Sequence, residues 1–259
     1  MSSWNPNLYL RFHGERTRPA MDLAARVEVS NPRRVIDLGC GPGNSTAVLR
    51  SRWPGAEITG LDSDAAMLAE AEKSDASVRW VQGDAATLTP TESFDVVFSN
   101  AMLQWLPNHE EVVPRWFRAV APVGALAVQI PFHYKSAIHR HILAVADERE
   151  WRDATMAARS AIGTHDGAFY YDLLCPLAER VDLWETEYCH VLNGPEDILE
   201  WMRGTGLRPF LSALASDDQR QRFEAHLLER VTEAYPRRRD GKVLFPFRRL
   251  FFVAYRGRA

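Results

Sequence analysis

The sequence predicts an α/β fold: a doubly wound, mostly parallel sheet of seven strands that carries helical cap insertions. Three observations lead there. Short apolar runs alternate with helix-patterned segments through residues 33–130. A turn with glycines at alternate positions (Gly39, Gly41, Gly43) joins the first apolar run to the first of those helices. After Pro131 the rhythm breaks into two long helical stretches, each followed by a return to an apolar run. Strands alternating with helices imply a parallel sheet covered on both faces.

Taken in order, Arg33–Leu38 is a strand on the strength of Val35, Ile36 and Leu38, and Asn44–Arg52 starts a helix directly behind the glycines. Ala56–Leu61 is the second strand, followed by a helix over Asp64–Lys73 that Ser63 and Asp64 can cap. Val78–Gln82 and Phe94–Ser99 are the third and fourth strands, the latter apolar enough for a central position. Glu110–Val120 reads as a helix and Ala125–Ile130 as the fifth strand. Residues 136–178 look helical with an interruption near 162–166, 181–190 strand-like, and 195–235 helical again. Val243–Tyr255 is the last strand, with Pro246 marking a bulge or an edge. The organisation expected is one domain over 1–259. Within it, 1–32 is an N-terminal lid and first helix, 33–135 the binding core, 136–178 and 195–240 cap insertions, and 180–190 and 241–256 the final strands.

With 259 residues, 46% of them hydrophobic, the chain can bury a full core. Its net charge of −3 lacks the basic excess of a nucleic-acid binder, and the basic clusters are confined to Arg237–Arg239 and Arg248–Arg249. Cys40, Cys175 and Cys189 form no CxxC pair and leave an odd count, which suits a reducing compartment and argues against a structural metal site. No apolar run approaches the ~18 residues of a membrane span, and the first residues lack the apolar centre of a secretory signal. A cytoplasmic protein, monomeric or homodimeric, with no membrane or nucleic-acid partner is expected.

Residues 35–44 read VIDLGCGPGN. Glycines at a strand-to-helix turn permit positive φ and let backbone approach a ligand, and the helix N-terminus behind them offers free N–H groups. A dinucleotide site wants G-x-G-x-x-G, but Asn44 stands at the third glycine position and Asp37 just before the first. An acid there suits an ammonium group better than a pyrophosphate, so an amino-acid-bearing nucleoside is favoured, with a dinucleotide as the competing ligand. Asp62 closes the second strand 19 residues past Gly43, near the ~20 at which an acid takes ribose hydroxyls. Ser63 adjoins it, and Met67, one turn on, can pack on an adenine face. At the third strand tip Asp84 can accept from an adenine amino group and Ala85 N–H can donate to a ring nitrogen. Asn100 ends the fourth strand, facing the methyl donor.

These segments, together with LDSDAAML, QGDAATL and FDVVFSNAMLQWLPNHEEV, resemble the class I S-adenosylmethionine (SAM) methyltransferases with a Rossmann-like core. The flanks WNPNLYLRFHGERTRPAMDLAARV, LAVQIPFHYKSAIHRHI, VDLWETEYCHVLNGPEDILEWMRGTGLRPFL and LFPFRRLFFVAY resemble the trans-aconitate branch of that family. The resemblance implies SAM as cofactor and a small polycarboxylic acid esterified at one carboxylate. It also implies an N-terminal lid, with Tyr9 or Arg18 near the methionine carboxylate. A carboxylate nucleophile is ionised at neutral pH, so no catalytic base is required and catalysis rests on proximity and orientation. A multiply anionic substrate needs cations and donors. Arg248 and Arg249, on opposite faces of the last strand, are the first candidates, with Tyr170, Tyr171, His133 and Trp105 as further pocket residues. A methyltransferase of another small molecule and a non-catalytic SAM-binding protein are the alternatives, ahead of a dinucleotide oxidoreductase.

Overall fold

The computed structural model describes residues 13–88, 92–132, 135–160 and 163–258 of the chain. It has the fold class expected. Seven strands form one sheet in the order β3-β2-β1-β4-β5-β7-β6. They are β1 (Arg34–Leu38), β2 (Glu57–Asp62), β3 (Arg79–Gln82), β4 (Phe94–Asn100), β5 (Val120–Pro131), β6 (Arg180–Leu192) and β7 (Val243–Tyr255). The pairs β1–β2, β1–β4, β2–β3 and β4–β5 are parallel. Strand order reverses between β1 and β4, the place where open α/β sheets take ligands at the carboxyl ends of their strands. β7 runs against β5: Phe132 N–H donates to the Arg248 carbonyl at one end, and Val123 N–H to the Gly257 carbonyl at the other.

Before the cap come helices α1 (His13–Arg26), α2 (Asn44–Arg52), α3 (Ala65–Ser74) and α4 (His109–Arg118). Local chemistry explains their starts. Asp64 caps α3, its side chain accepting from Ala66 and Met67 N–H. α2 begins at Gly43, whose φ of 91° only glycine adopts without strain. Val35–Leu38 and most of β4 and β5 are buried, as central parallel strands should be. β5 starts at Val120, earlier than the Ala125 expected from sequence. Pro122 and Gly124 read as a turn, yet Val120 pairs with Phe94 and a register shift absorbs the irregularity. Gly124 is required there, since a Cβ would come within 2.6 Å of the Asp95 carbonyl oxygen.

The chain packs as two compact units. One comprises Arg16–Pro131, Thr164–Thr186 and Leu250–Ala259 and holds β1–β5. The other comprises Phe132–Gly163 and Glu187–Arg249, with residues 13–15. Here α5 (Ala137–Ala146), α7 (Pro195–Arg203), α8 (Arg208–Ala213) and α9 (Asp217–Ala234) enclose a core of Trp151, Trp201, Phe223, Phe245 and Phe247. Helix α6 (Gly167–Leu174), which sequence reading groups with the first insertion, packs in the sheet unit instead. The stretch expected to be helical over 195–235 is three helices, broken after Arg203 and after Ala213. Among the described residues no helix is long and apolar enough to cross a membrane.

Candidate active site

The glycine turn holds three consecutive alternate residues in the left-handed region, with φ of 71° at Gly39, 54° at Gly41 and 91° at Gly43. Each glycine answers a different demand. A Cβ on Gly39 would lie 2.1 Å from Met102 Cγ, and one on Gly43 would press on Trp80 and Ala71. A Cβ on Gly41 would meet nothing within 4 Å, so this position faces open space where a ligand can lie against the backbone.

Two acids hold the turn in place. Asp62 Oδ2 accepts from Gly41 N–H at 2.8 Å, and Asp62 Oδ1 from Asp64 N–H at 2.9 Å. The Leu61 carbonyl takes Gly39 and Cys40 N–H at 2.8 and 3.1 Å. Asp62 therefore straps the turn to the β2 tip, and its remaining lone pairs are what a ribose could use. Asp37 lies beneath, fully buried in β1. Its Oδ2 accepts from the Ser45 and Thr46 hydroxyls of α2 at 2.7 and 2.6 Å, while Oδ1 has no hydrogen-bond partner among the described residues. Burial pushes the Asp37 carboxyl up to about 6, against the Thr46 and Ser45 hydrogen bonds and with some help from the Asp62 charge. The same burial, with both acids nearby, drives the Cys40 thiol far up, so it is an inert packing group.

On the neighbouring tips, Asp84 is exposed and uses Oδ1 to accept Ala86 N–H at 2.8 Å. Ala85 is buried, and its carbonyl accepts from Trp116 Nε1. Ser63 is exposed and Met67 half-buried on α3. Past β4, the Asn100 side-chain Oδ1 is buried without a hydrogen-bond partner among the described residues, and Ala101 sits at a φ of 55°. A non-glycine residue there stores strain of the kind that clusters at ligand sites. Leu103–Trp105 then form a short 3-10 turn. His109, at the start of α4, fastens it: Nε2 lies 2.9 Å from both the Leu103 and Leu106 carbonyls, and Nδ1 2.8 Å from the Tyr170 hydroxyl. With Nε2–H donating to the carbonyls, Nδ1 accepts from Tyr170, which makes the ring neutral; burial lowers its pKa accordingly.

Asp37, Gly39, Gly41, Gly43 and Asp62 are thus joined by direct contacts or shared backbone, and Asp84, Ala85 and Asn100 lie at adjacent strand ends. This set fits SAM: an open glycine, an unpartnered buried carboxylate oxygen and an unpartnered amide oxygen. Arg18 is an exposed residue of α1. Tyr9 and His133 fall outside the described residues.

On the acceptor side the structure corrects one expectation. Tyr170 does not line a pocket; it is fully buried on α6, stacked on Phe252 at 4.9 Å, with its hydroxyl committed to His109. Tyr171 is 49% exposed on the same helix, and Trp105 is 39% exposed on the 3-10 turn after β4. Arg248 and Arg249 face opposite sides of β7. Arg248 is half-exposed and lies 3.7 Å from Glu187, while Arg249 is buried with its guanidinium 4.9 Å over Phe247. Sequence reading missed Ser45, Thr46, Met102 and His109. For Ser45 and Thr46 the available signal was two hydroxyls in the first helical turn behind the acid of the first strand.

A family model described as a methyltransferase domain matches residues 35–124. Trans-aconitate 2-methyltransferase of Methylobacterium nodulans is 48% identical over 260 residues, covering all of both chains. That of Azoarcus sp. is 44% identical over 256 residues, or 99% of this chain and 100% of the relative. Among solved structures, the YcgJ protein from Bacillus subtilis superposes with a TM-score of 0.59 at 14% identity, over 93% of this chain and 100% of that one, which speaks to the fold alone.

Proposed function

This chain belongs to the trans-aconitate 2-methyltransferase family, and from that premise we propose that it moves a methyl group from SAM to one carboxylate of trans-aconitate, forming a monomethyl ester. The observation that carries the reading is the span of the likeness. Alignments at 44–48% identity cover essentially the whole chain, flanks included, and not only the residues 35–124 that match the methyltransferase-domain model.

When bound, SAM supplies an electrophilic methyl group on a sulfonium. The residues of the glycine turn would carry the methionine portion, with Asp37 Oδ1 and backbone as partners for its ammonium and Arg18 or Tyr9 for its carboxylate. Asp62 would take the ribose hydroxyls on the lone pairs its backbone contacts leave over. Ser63 and Met67 would border the adenine, Asp84 its amino group and Ala85 its ring. Asn100 would orient groups next to the reacting centre. The acceptor carboxylate is ionised well below neutral pH, so the protein removes no proton and has only to hold the acceptor in line, an effect worth ~7–11 kcal/mol. Arg248 would supply positive charge for the acid, and Trp105, Tyr171 and His133 are further candidates for touching it, whereas Arg249, buried on the other side of β7 over Phe247, would not. The three free cysteines support a cytoplasmic site of action.

Incubation with labelled SAM and a panel of carboxylic acids tests this reading. Mass spectrometry should find a methyl ester of trans-aconitate. Tight SAM binding with no transfer to any acid overturns it.

A further inference from the structure

Besides Asp37 Oδ1 and Asn100 Oδ1, a further buried oxygen near the glycine turn has no hydrogen-bond partner among the described residues: Oε1 of Gln104. All three residues belong to the unit that holds β1–β5. Gln104 lies on the 3-10 turn after β4 and is 4% exposed. Its Nε2 donates to the Ala101 carbonyl at 2.6 Å. A carbonyl takes only the N–H end of an amide, so the sense of the side chain is fixed and Oε1 is its uncommitted end. A buried acceptor left in this way costs about 1–3 kcal/mol. Native structures seldom carry such a group without a use.

The fold puts the segments that carry these oxygens side by side. Asp37 is in register with Phe98 across the parallel β1–β4 pair, so Asn100, two residues on, shares the Asp37 face of the sheet. Met102 fills the space where Gly39 lacks a Cβ, which sets the turn after β4 against the glycine turn. Two bonds pin the chain there: the Ser99 hydroxyl donates to the Leu38 carbonyl at 3.0 Å, and Ala101 N–H to the Gln129 carbonyl at 2.9 Å. Acceptors without donors suit a group rich in N–H and positive charge. An ionised polyacid offers lone pairs alone and is repelled. The methionine ammonium of SAM brings three N–H donors and a full charge.

We propose that Gln104 is a ligand of the methyl donor: its Oε1 accepts from the methionine ammonium of SAM, together with Asp37 Oδ1 and Asn100 Oδ1, so that each N–H of the ammonium meets an acceptor. Gln104 thereby selects a cofactor with an intact amino group, a role that sequence reasoning did not assign to it. The assignment needs SAM as the methyl donor and is indifferent to which acid receives the methyl group.

Calorimetric titration of wild type and Gln104→Met with four ligands tests it: SAM, S-adenosylhomocysteine, the S-adenosylhomocysteine analogue with hydrogen in place of the amino group, and 5′-methylthioadenosine, which lacks the whole amino acid. Methionine keeps the length of the side chain and removes both ends of the amide. The variant should bind SAM and S-adenosylhomocysteine about tenfold more weakly and the two ligands without an ammonium as wild type does. Equal losses for all four ligands would mean that Gln104 only shapes the turn, and would overturn the proposal. Unchanged affinity for all four overturns it too, as does a loss confined to SAM, which would place the oxygen at the sulfonium. A measurement on wild type needs no substitution: the carbon-13 signal of the Gln104 side-chain carbonyl should shift when S-adenosylhomocysteine binds and stay in place with the deaminated analogue. The same signal moving equally with both ligands counts against an ammonium contact. The methyl-ester assay keeps the two readings apart. A wild type that shows the ammonium-dependent pattern but methylates no acid leaves Gln104 in its role and sinks methyl transfer to trans-aconitate. Ester formation with equal losses across the four ligands does the reverse.

Discussion

Asp37 has one carboxylate oxygen doubly hydrogen-bonded and the other buried without a partner, and its pKa of about 6 lies above the 3.8 of an exposed aspartate. The sign of the linkage follows from that elevation. Between pH 3.8 and 6 the native state binds the proton more tightly than the unfolded chain, so lowering the pH through this window adds stability. Above pH 6 the buried charge costs on the order of 3 kcal/mol. Asp37→Asn removes the cost while keeping an acceptor for Ser45 and Thr46. The variant should therefore be more stable than wild type by about that amount at pH 8 and by only about 1 kcal/mol at pH 4.5, read from urea unfolding at both values. It should also lose at least tenfold in SAM affinity, because the ammonium partner is gone. A variant that is less stable than wild type at pH 8 would show that the carboxylate is not held at a cost. Cys40 follows the same logic in a second measurement. Burial beside two acids keeps its thiol protonated, whereas Cys175 and Cys189 are exposed. A thiol reagent should modify two groups in the native protein and three after unfolding. The acid itself was legible in the sequence; its burial was not, because only the fold brings Ser45 and Thr46 beneath the turn.

The segment after β4 shows what an element contributes. Its backbone turns through the strained Ala101, is bonded from the Gln104 amide to the Ala101 carbonyl, and ends on the two carbonyls that His109 gathers. That clamp holds Met102 against Gly39 and leaves Trp105 partly exposed at the end of the 3-10 turn. His109→Ala leaves two carbonyls and the Tyr170 hydroxyl to find water or remain unpaired, which should cost roughly 2–4 kcal/mol in unfolding free energy. A misplacement of about 1 Å near a reacting centre can cost a hundredfold in rate, so kcat should fall at least tenfold. Hydrogen exchange at residues 101–106 should accelerate in parallel. Unchanged exchange there would mean that the histidine packs without positioning. No local pattern announces this clamp. A histidine at a helix start has many ordinary uses, and its partner Tyr170 lies 61 residues away on a helix that sequence reading assigns to the cap. The strands and their acid tips were legible because period, apolarity and turn chemistry are local properties. The clamp depends on which helix packs where.

At the scale of the whole molecule, the division into units falls inside secondary structure. The boundary cuts β6 between Thr186 and Glu187 and β7 between Arg249 and Leu250, and the chain passes from one unit to the other at Pro131–Phe132 and Gly163–Thr164 as well. A domain boundary normally lies in an exposed linker that few contacts cross. Here each unit owns half of two strands, so melting either one removes hydrogen-bond partners from a strand that continues into the other. That is why the sequence shows no linker and reads as one domain, and why the split of the first insertion at residue 163 could not be seen in it: helical periodicity marks where a helix is, not which core it joins. Cooperativity follows from the same topology. Differential scanning calorimetry should record one transition with calorimetric and van't Hoff enthalpies in agreement. S-adenosylhomocysteine at ~100 times its Kd should add about 2.7 kcal/mol and raise the midpoint by roughly 5–10 °C without splitting the peak. A ligand-shifted transition followed by an unshifted one would mean that the half-strands of Glu187–Arg249 fold independently of the sheet that carries the glycine turn.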